Sequence, residues 1–194
     1  MEITHCHEFK WINPSQIEEN AQQIILDATP KSDFFCNPMD GSVIATAPFL
    51  YTEVKGDFSI KAKVTPAFIS TYDACALMVF SNERLWLKTA FENTDFGTHA
   101  VVTVATNEFS DDANGCNIEN ESVFLKIIRK KQAFACHYSL DGKTYRMIRI
   151  LHLPMPETVK VGISVQSPLG NGGKMCFSDF ELTEKIPIDI RRIQ

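Results

Sequence analysis

The sequence reads as an all-β protein, a two-sheet antiparallel sandwich of jelly-roll type, on three observations. Apolar and polar residues alternate in short segments along the whole chain, as where Phe58, Ile60, Ala62 and Val64 interleave with Ser59, Lys61 and Lys63. Clusters of Asn, Asp, Gly and Pro separate those segments. No stretch sustains the period of a convincing helix. With 194 residues, 44% of them hydrophobic and 22% charged, the chain is long enough for one good core and is expected to be a single domain over residues 1–194.

Taken in order, residues 8–12 read as a short first strand, and Asn13-Pro14-Ser15 as a turn. Residues 16–23 are polar enough for a loop or one helical turn, and 24–28 and 32–36 resume strands before the turn at 37–41. Residues 49–55 and 58–64 form strands joined tightly through Gly56-Asp57. The nearly continuous apolar run 74–80 makes a hairpin with 84–92 through Ser81-Asn82-Glu83. Residues 99–106 are another strand, whereas 107–120, rich in Asp, Asn and Gly, read as a long loop. Strands at 123–130, 133–139 and 144–151 follow, the last two joined by the strong turn Leu140-Asp141-Gly142-Lys143. After a proline-flanked turn at 155–157, strands 159–166 and 174–183 complete a series of roughly eleven, a count that suits two packed sheets.

Composition excludes several functions. The net charge is −5, and no basic run exceeds Arg129-Lys130-Lys131, so nucleic acid and anionic membrane are disfavoured as partners. No apolar stretch approaches the ~18 residues of a membrane span, and the N-terminus lacks a basic region followed by an apolar one. A cytoplasmic protein is expected. The six cysteines, widely spaced and without a C-x-x-C pair, are then free thiols. Neither a metal nor a cofactor is expected. His5 and His7 share a strand face but have no third ligand near, and the 110–121 match to a calcium loop lacks its first Asp and any flanking helix.

One stretch, 72–97, carries usable chemistry. Read with a period of two, it sets Leu85, Leu87, Thr89 and Phe91 on a core face and Trp86, Lys88, Ala90 and Glu92 on the other. An indole, a cation and a carboxylate in one row suit a polar ligand with flat apolar faces, such as a sugar. Two further strands have rows of comparable character. Lys160, Gly162, Ser164 and Gln166 oppose a Val/Ile row, and Phe134, Cys136 and Tyr138 oppose Ala133, Ala135 and His137. Such rows belong on the concave sheet of a jelly roll.

The ordered set YDACALMVF, WLKTAFENTDFG, Ser110-Asp111, FACHYSLDGKTY, VKVGISVQSP and FSDFELT resembles a concanavalin-A-like family of unknown function, over residues 9–183. That family includes a yeast regulator-of-enolase protein and accessory domains of family-43 glycoside hydrolases. The resemblance implies a concanavalin-A-like jelly roll and a carbohydrate-linked superfamily, without an established reaction. The positions it carries over are Tyr72, Asp73, Trp86, Lys88, Glu92, Ser110, Asp111 and Ser167-Pro168. This chain departs from the pattern in having Ala74-Cys75-Ala76 after Asp73, where the family has Gln-Ala-Gly, and Gln166 before Ser167, where Cys is frequent. These changes reshape any pocket.

The expected ligand-binding set is therefore Tyr72, Asp73, Trp86, Lys88, Glu92, Ser110, Asp111 and Gln166. The expected function is a binding or regulatory module for a carbohydrate or sugar phosphate, Lys88 suiting an anionic group. Two alternatives stand beside it, an enzyme acting on a glycan or sugar metabolite with Glu92 as acid or base, and a module that docks a protein partner. Hydrolysis usually needs a second carboxylate about 5 to 10 Å from the first, and the strand that bears Glu92 supplies none at i±2.

Overall fold

The computed structural model describes residues 8–193, so His5, Cys6 and His7 lie outside the described residues. Among them it is entirely β, with sixteen strands numbered in chain order. The first sheet runs β1 (Lys10–Ile12), β6 (Phe49–Lys55), β15 (Thr158–Gln166), β8 (Ala74–Asn82), β9 (Leu85–Asn93), β10 (His99–Asn107), β11 (Phe109–Asn117). The second runs β14 (Arg146–His152), β13 (Ala133–Ser139), β12 (Val123–Lys130), β7 (Phe58–Thr65), β16 (Gly173–Thr183), β3 (Gln23–Ala28), β2 (Ile17–Glu19). A separate hairpin pairs β4 (Phe34–Cys36) with β5 (Val43–Ala45). The paired strands are antiparallel throughout, which is the sandwich that the alternation predicts.

The two sheets close on a core of alternate residues. Cys75, Leu77 and Val79 of β8, Leu87 and Phe91 of β9, and Val161, Ile163 and Val165 of β15 meet Phe58, Ile60, Ala62 and Val64 of β7 and Leu125 and Ile127 of β12. A second apolar cluster lies on the opposite face of the first sheet. There the β4–β5 hairpin lays Phe34 against Phe80 and Trp86, with ring centroids 5.8 and 6.2 Å apart, beside Phe49, Met78 and Val102. This explains why 74–80 is apolar without interruption: both of its faces are covered.

Four expectations are corrected. Residues 107–120 are not a loop, because β11 pairs with β10 through most of its length. An edge strand needs no apolar row on the side that water reaches, so its Asp/Asn/Gly content does not forbid a ladder. Residues 17–19 form a short strand on β3 in place of a loop or helical turn. Residues 43–45 pair with β4 although the sequence gives no strand there. Finally, β13 belongs to the second sheet, and its Phe134, Cys136 and Tyr138 point into the core; the opposite row, with Ala135, is covered by Ile190. That strand has no place on the sheet face carrying Lys88.

Candidate functional site

The strand register sets the site's residues on one lattice. On the outer face of the first sheet, Gln166, Ala74, Glu92 and Ala100 stand side by side across β15, β8, β9 and β10. Two residues' pairs further along the strands, Gly162, Met78, Lys88, Val104 and Asp112 form a second row, reaching β11. The hairpin's aromatic cluster fills the end of this face near Trp86. The other end remains a cavity of about 280 Å³. Asp33, Lys88, Glu92, Asp112 and Gln166 supply its polar wall, and Phe35, Tyr72, Val104, Pro168 and Leu169 the remainder. Ala74, Ala76 and Ala90, small and buried between the polar residues, keep this part of the sheet face low.

Lys88 is almost wholly buried and its ammonium is spent. Nζ donates to Asp33 Oδ1 at 3.1 Å, to the Phe34 carbonyl at 2.9 Å and to Gln166 Oε1 at 2.7 Å, which uses all three of its protons. The expectation that Lys88 offers a free charge to an anionic group is therefore corrected. Its counter-ion comes from the hairpin, fifty-five residues upstream. Gln166 is equally committed, its amide nitrogen donating to the Tyr72 carbonyl at 3.0 Å and to Glu92 Oε2 at 3.4 Å.

Glu92 is 8% exposed, and its Oε1 has no hydrogen-bond partner among the described residues. Burial pushes its carboxyl up to about 8, against the pull of Lys88, and Asp112, Asp33 and Asp95 add to the rise. Burial likewise raises Asp112. Tyr72 sits at φ 68°, a left-handed conformation that costs a bulky side chain of order 1–3 kcal/mol. It is held there by its N–H on the Asn93 carbonyl and by Gln166 on its own carbonyl. Its phenol is raised by burial first and then by Asp95, Glu92 and Asp112.

The remaining expected residues do not face the cavity. Trp86 is fully enclosed by the hairpin, its indole N–H donating to the Glu83 carbonyl at 3.1 Å, so no indole face is open for stacking. Asp73 is buried in the turn that presents Tyr72, accepting from the Ile69 and Ser70 amides and from Ser167 Oγ at 2.7 Å. Ser110 fastens the hairpin by accepting the Cys36 N–H at 2.9 Å. Asp111 projects away and pairs with Arg149 at 2.7 Å; its neighbour Asp112 lines the cavity instead. Asp33, Phe35, Val104 and Leu169 were missed. Asp112 was legible had 109–117 been read as a strand, since it shares a face with Ser110; nothing local marks Asp33. A larger depression of about 640 Å³ beside β16 is an open trough whose Lys61 and Glu181 pair with each other at 2.8 Å.

The sequence profile of a family described as "protein of unknown function (DUF1349)" matches residues 11–185. The chain belongs to this family. A relative from Saccharomyces cerevisiae, "Regulation of enolase protein 1", is 28% identical over 182 residues, covering 93% of this chain and 91% of the relative. A crystal structure of a functionally unknown protein from Saccharomyces cerevisiae superimposes with a TM-score of 0.86 at 26% identity, covering 92% of this chain and 97% of that one. Two further solved structures share the fold alone. The GH43 protein BlXynB of Bacillus licheniformis has a TM-score of 0.65 at 13% identity, over 90% of this chain and 39% of that one. The carbohydrate-binding module CBM66 of Bacillus subtilis has a TM-score of 0.58 at 11% identity, over 89% and 94%. The DUF1349 fold of this chain is thus the concanavalin-A-like jelly roll that the motifs imply.

Proposed function

We propose that the chain is a carbohydrate-binding regulatory module, and that its ligand is a small hydroxyl-rich sugar without an anionic group, held in the cavity between the first sheet and the β4–β5 hairpin. The observation that carries this reading is the cavity's inventory. About 280 Å³ lies near the lower end of the ~300–1,000 Å³ usual for small-molecule sites, with Phe35, Tyr72 and Leu169 as flat or apolar walls. Its unspent polar atoms are carboxyl oxygens, which accept hydrogen bonds from hydroxyls. A phosphate would meet Asp33, Asp112 and Glu92 with no free donor from Lys88, so the sugar is favoured over the sugar phosphate.

The name of the yeast relative, which speaks of regulating enolase, suits a module whose ligand state is read by a protein partner. Among the described residues no helix is long and apolar enough to cross a membrane. The five described cysteines, Cys36, Cys75, Cys116, Cys136 and Cys176, are all free, in keeping with a reducing compartment such as the cytoplasm.

A thermal-shift screen of sugars against their phosphates tests the reading. A ligand at a hundredfold excess over its Kd stabilises the native state by about 2.7 kcal/mol, several degrees in Tm for a chain of this size. Sugars without a phosphate are expected to raise Tm and their phosphates not to. A shift given only by phosphates, or by none of the compounds, overturns it. One observation favours a second reading as enzyme: Glu92, whose carboxyl burial holds protonated, lines the same cavity as a second carboxyl, Asp112, and such pairs can divide acid and base roles. Release of nitrophenol from nitrophenyl glycosides, abolished in Glu92→Gln, is the outcome that reading requires.

A further inference from the structure

The polar groups around the cavity do not balance in charge. Lys88 and Asp33, in contact at 3.1 Å, cancel each other, and the Gln166 amide is engaged at both ends. What remains facing the cavity is Glu92 and Asp112, with Asp95 near enough to act on both. Glu92 is more than nine-tenths buried, its Oε2 accepts from the Gln166 amide, and its Oε1, without a protein partner among the described residues, opens on the cavity. With Glu92 protonated, Lys88 and Asp33 cancel and Asp112 is the carboxylate facing the cavity that has no ion-pair partner among the described residues. The cavity is one positive charge short.

We infer that the ligand is a sugar or polyol bearing a primary ammonium, whose N–H groups bond Glu92 Oε1 and the Asp112 carboxylate while its ring lies against Phe35 and Leu169. This rests on the carbohydrate reading above and narrows it to a cationic class. An ammonium offers three donors and a full charge, matching two acceptors and the deficit, whereas a neutral hydroxyl offers one donor and leaves the charge unbalanced. A bare metal ion fits poorly, because among the described residues no three metal-ligating side chains converge, and half of the cavity's lining is apolar or aromatic. Glu92, which keeps its proton in the empty cavity despite the pull of Lys88, gives that proton up to the buffer when the ammonium arrives.

Isothermal titration at pH 6.5 with matched series decides this: glucosamine, glucose and N-acetylglucosamine, then the galactose and mannose counterparts. Within a series the ring is constant and only the charge changes. The amine is expected to bind on the order of tenfold tighter than both neutral members in at least one series. It should also release about one proton, read from the dependence of the heat on buffer ionisation enthalpy. Glu92→Gln, which keeps the size of the side chain, should abolish the proton release and bring the amine's affinity down to that of the neutral members measured on the same variant. If neutral sugars bind as tightly as the amines in every series, the ammonium inference falls and the carbohydrate reading stands. Binding by no member overturns both. A preference that survives both Glu92→Gln and Asp112→Asn overturns the inference, since the attraction then lies elsewhere.

Discussion

The Glu92 carboxyl binds its proton more tightly in the folded chain than in the unfolded one, where it returns from about 8 to its usual 4.5. Folding therefore takes up a proton between those values, and stability falls as pH rises from about 4.5 to 8, then levels off. Glu92→Gln removes the titrating group without changing the volume. Its urea midpoint should match that of wild type near pH 4.5 and exceed it at pH 8; equal midpoints at both would show that Glu92 is not held in this environment. Lys88 teaches a different lesson at the same scale. Its place on the face with Glu92 was legible from a period of two, but whether its charge is free depended on Asp33, Phe34 and Gln166, which lie fifty-five, fifty-four and seventy-eight residues away in sequence. Alternation assigns a side; it does not say what closes over that side.

At the scale of elements, the β4–β5 hairpin decides how much of the outer sheet face is available. Phe34 anchors it on Phe80 and Trp86, Ser110 holds the Cys36 amide, and Asn13 Nδ2 donates to the Ala45 and Ala47 carbonyls at 2.8 and 3.0 Å. Phe34→Ala should cost about 3–5 kcal/mol and loosen the cover over Trp86. Acrylamide should then quench the indole, which the native hairpin shields; unchanged quenching would mean that the hairpin does not depend on this contact. The strands that build the site, β8, β9 and β15, were readable because each needs an apolar row towards the core. The hairpin was not, because short strands packed on a sheet face owe their position to tertiary contacts. β11 was misread for a related reason, its composition being that of turns while its partner β10 supplies the ladder.

Across the whole molecule, both outer faces of the sandwich are partly covered, each by a segment distant in sequence. The cover on the second sheet is the chain's last stretch, where Ile190 packs on Ile128 and Ala135. His137, buried beneath it, donates from Nε2 to the Ile190 carbonyl at 2.8 Å, while Nδ1 has no partner among the described residues. Burial lowers the pKa of this imidazole, with Lys126 adding to the effect and the Ile190 carbonyl opposing it. The unfolded imidazole takes a proton as pH falls through 6.5 and the folded one resists, so stability should drop below that pH until the folded group also titrates. His137→Leu should lose that part of the acid dependence, measured as Tm between pH 7 and 5; an unchanged slope would place the titration elsewhere.

The position of β11 has a consequence in time. The strand that contributes Asp112 is hydrogen-bonded to a neighbour on one side only, whereas β8 and β9, which contribute the cavity floor and Glu92, are hydrogen-bonded on both. Edge strands open at lower free energy than central ones, and such local openings set amide hydrogen-exchange rates. The wall built by β11 is therefore expected to open at lower free energy than the other, and since its Ser110 holds the Cys36 amide, the hairpin is expected to loosen with it as a ligand enters. Saturating ligand should slow exchange in β11 by more than in β8 or β9, and equal protection across the three strands would show that the cavity fills without that wall moving.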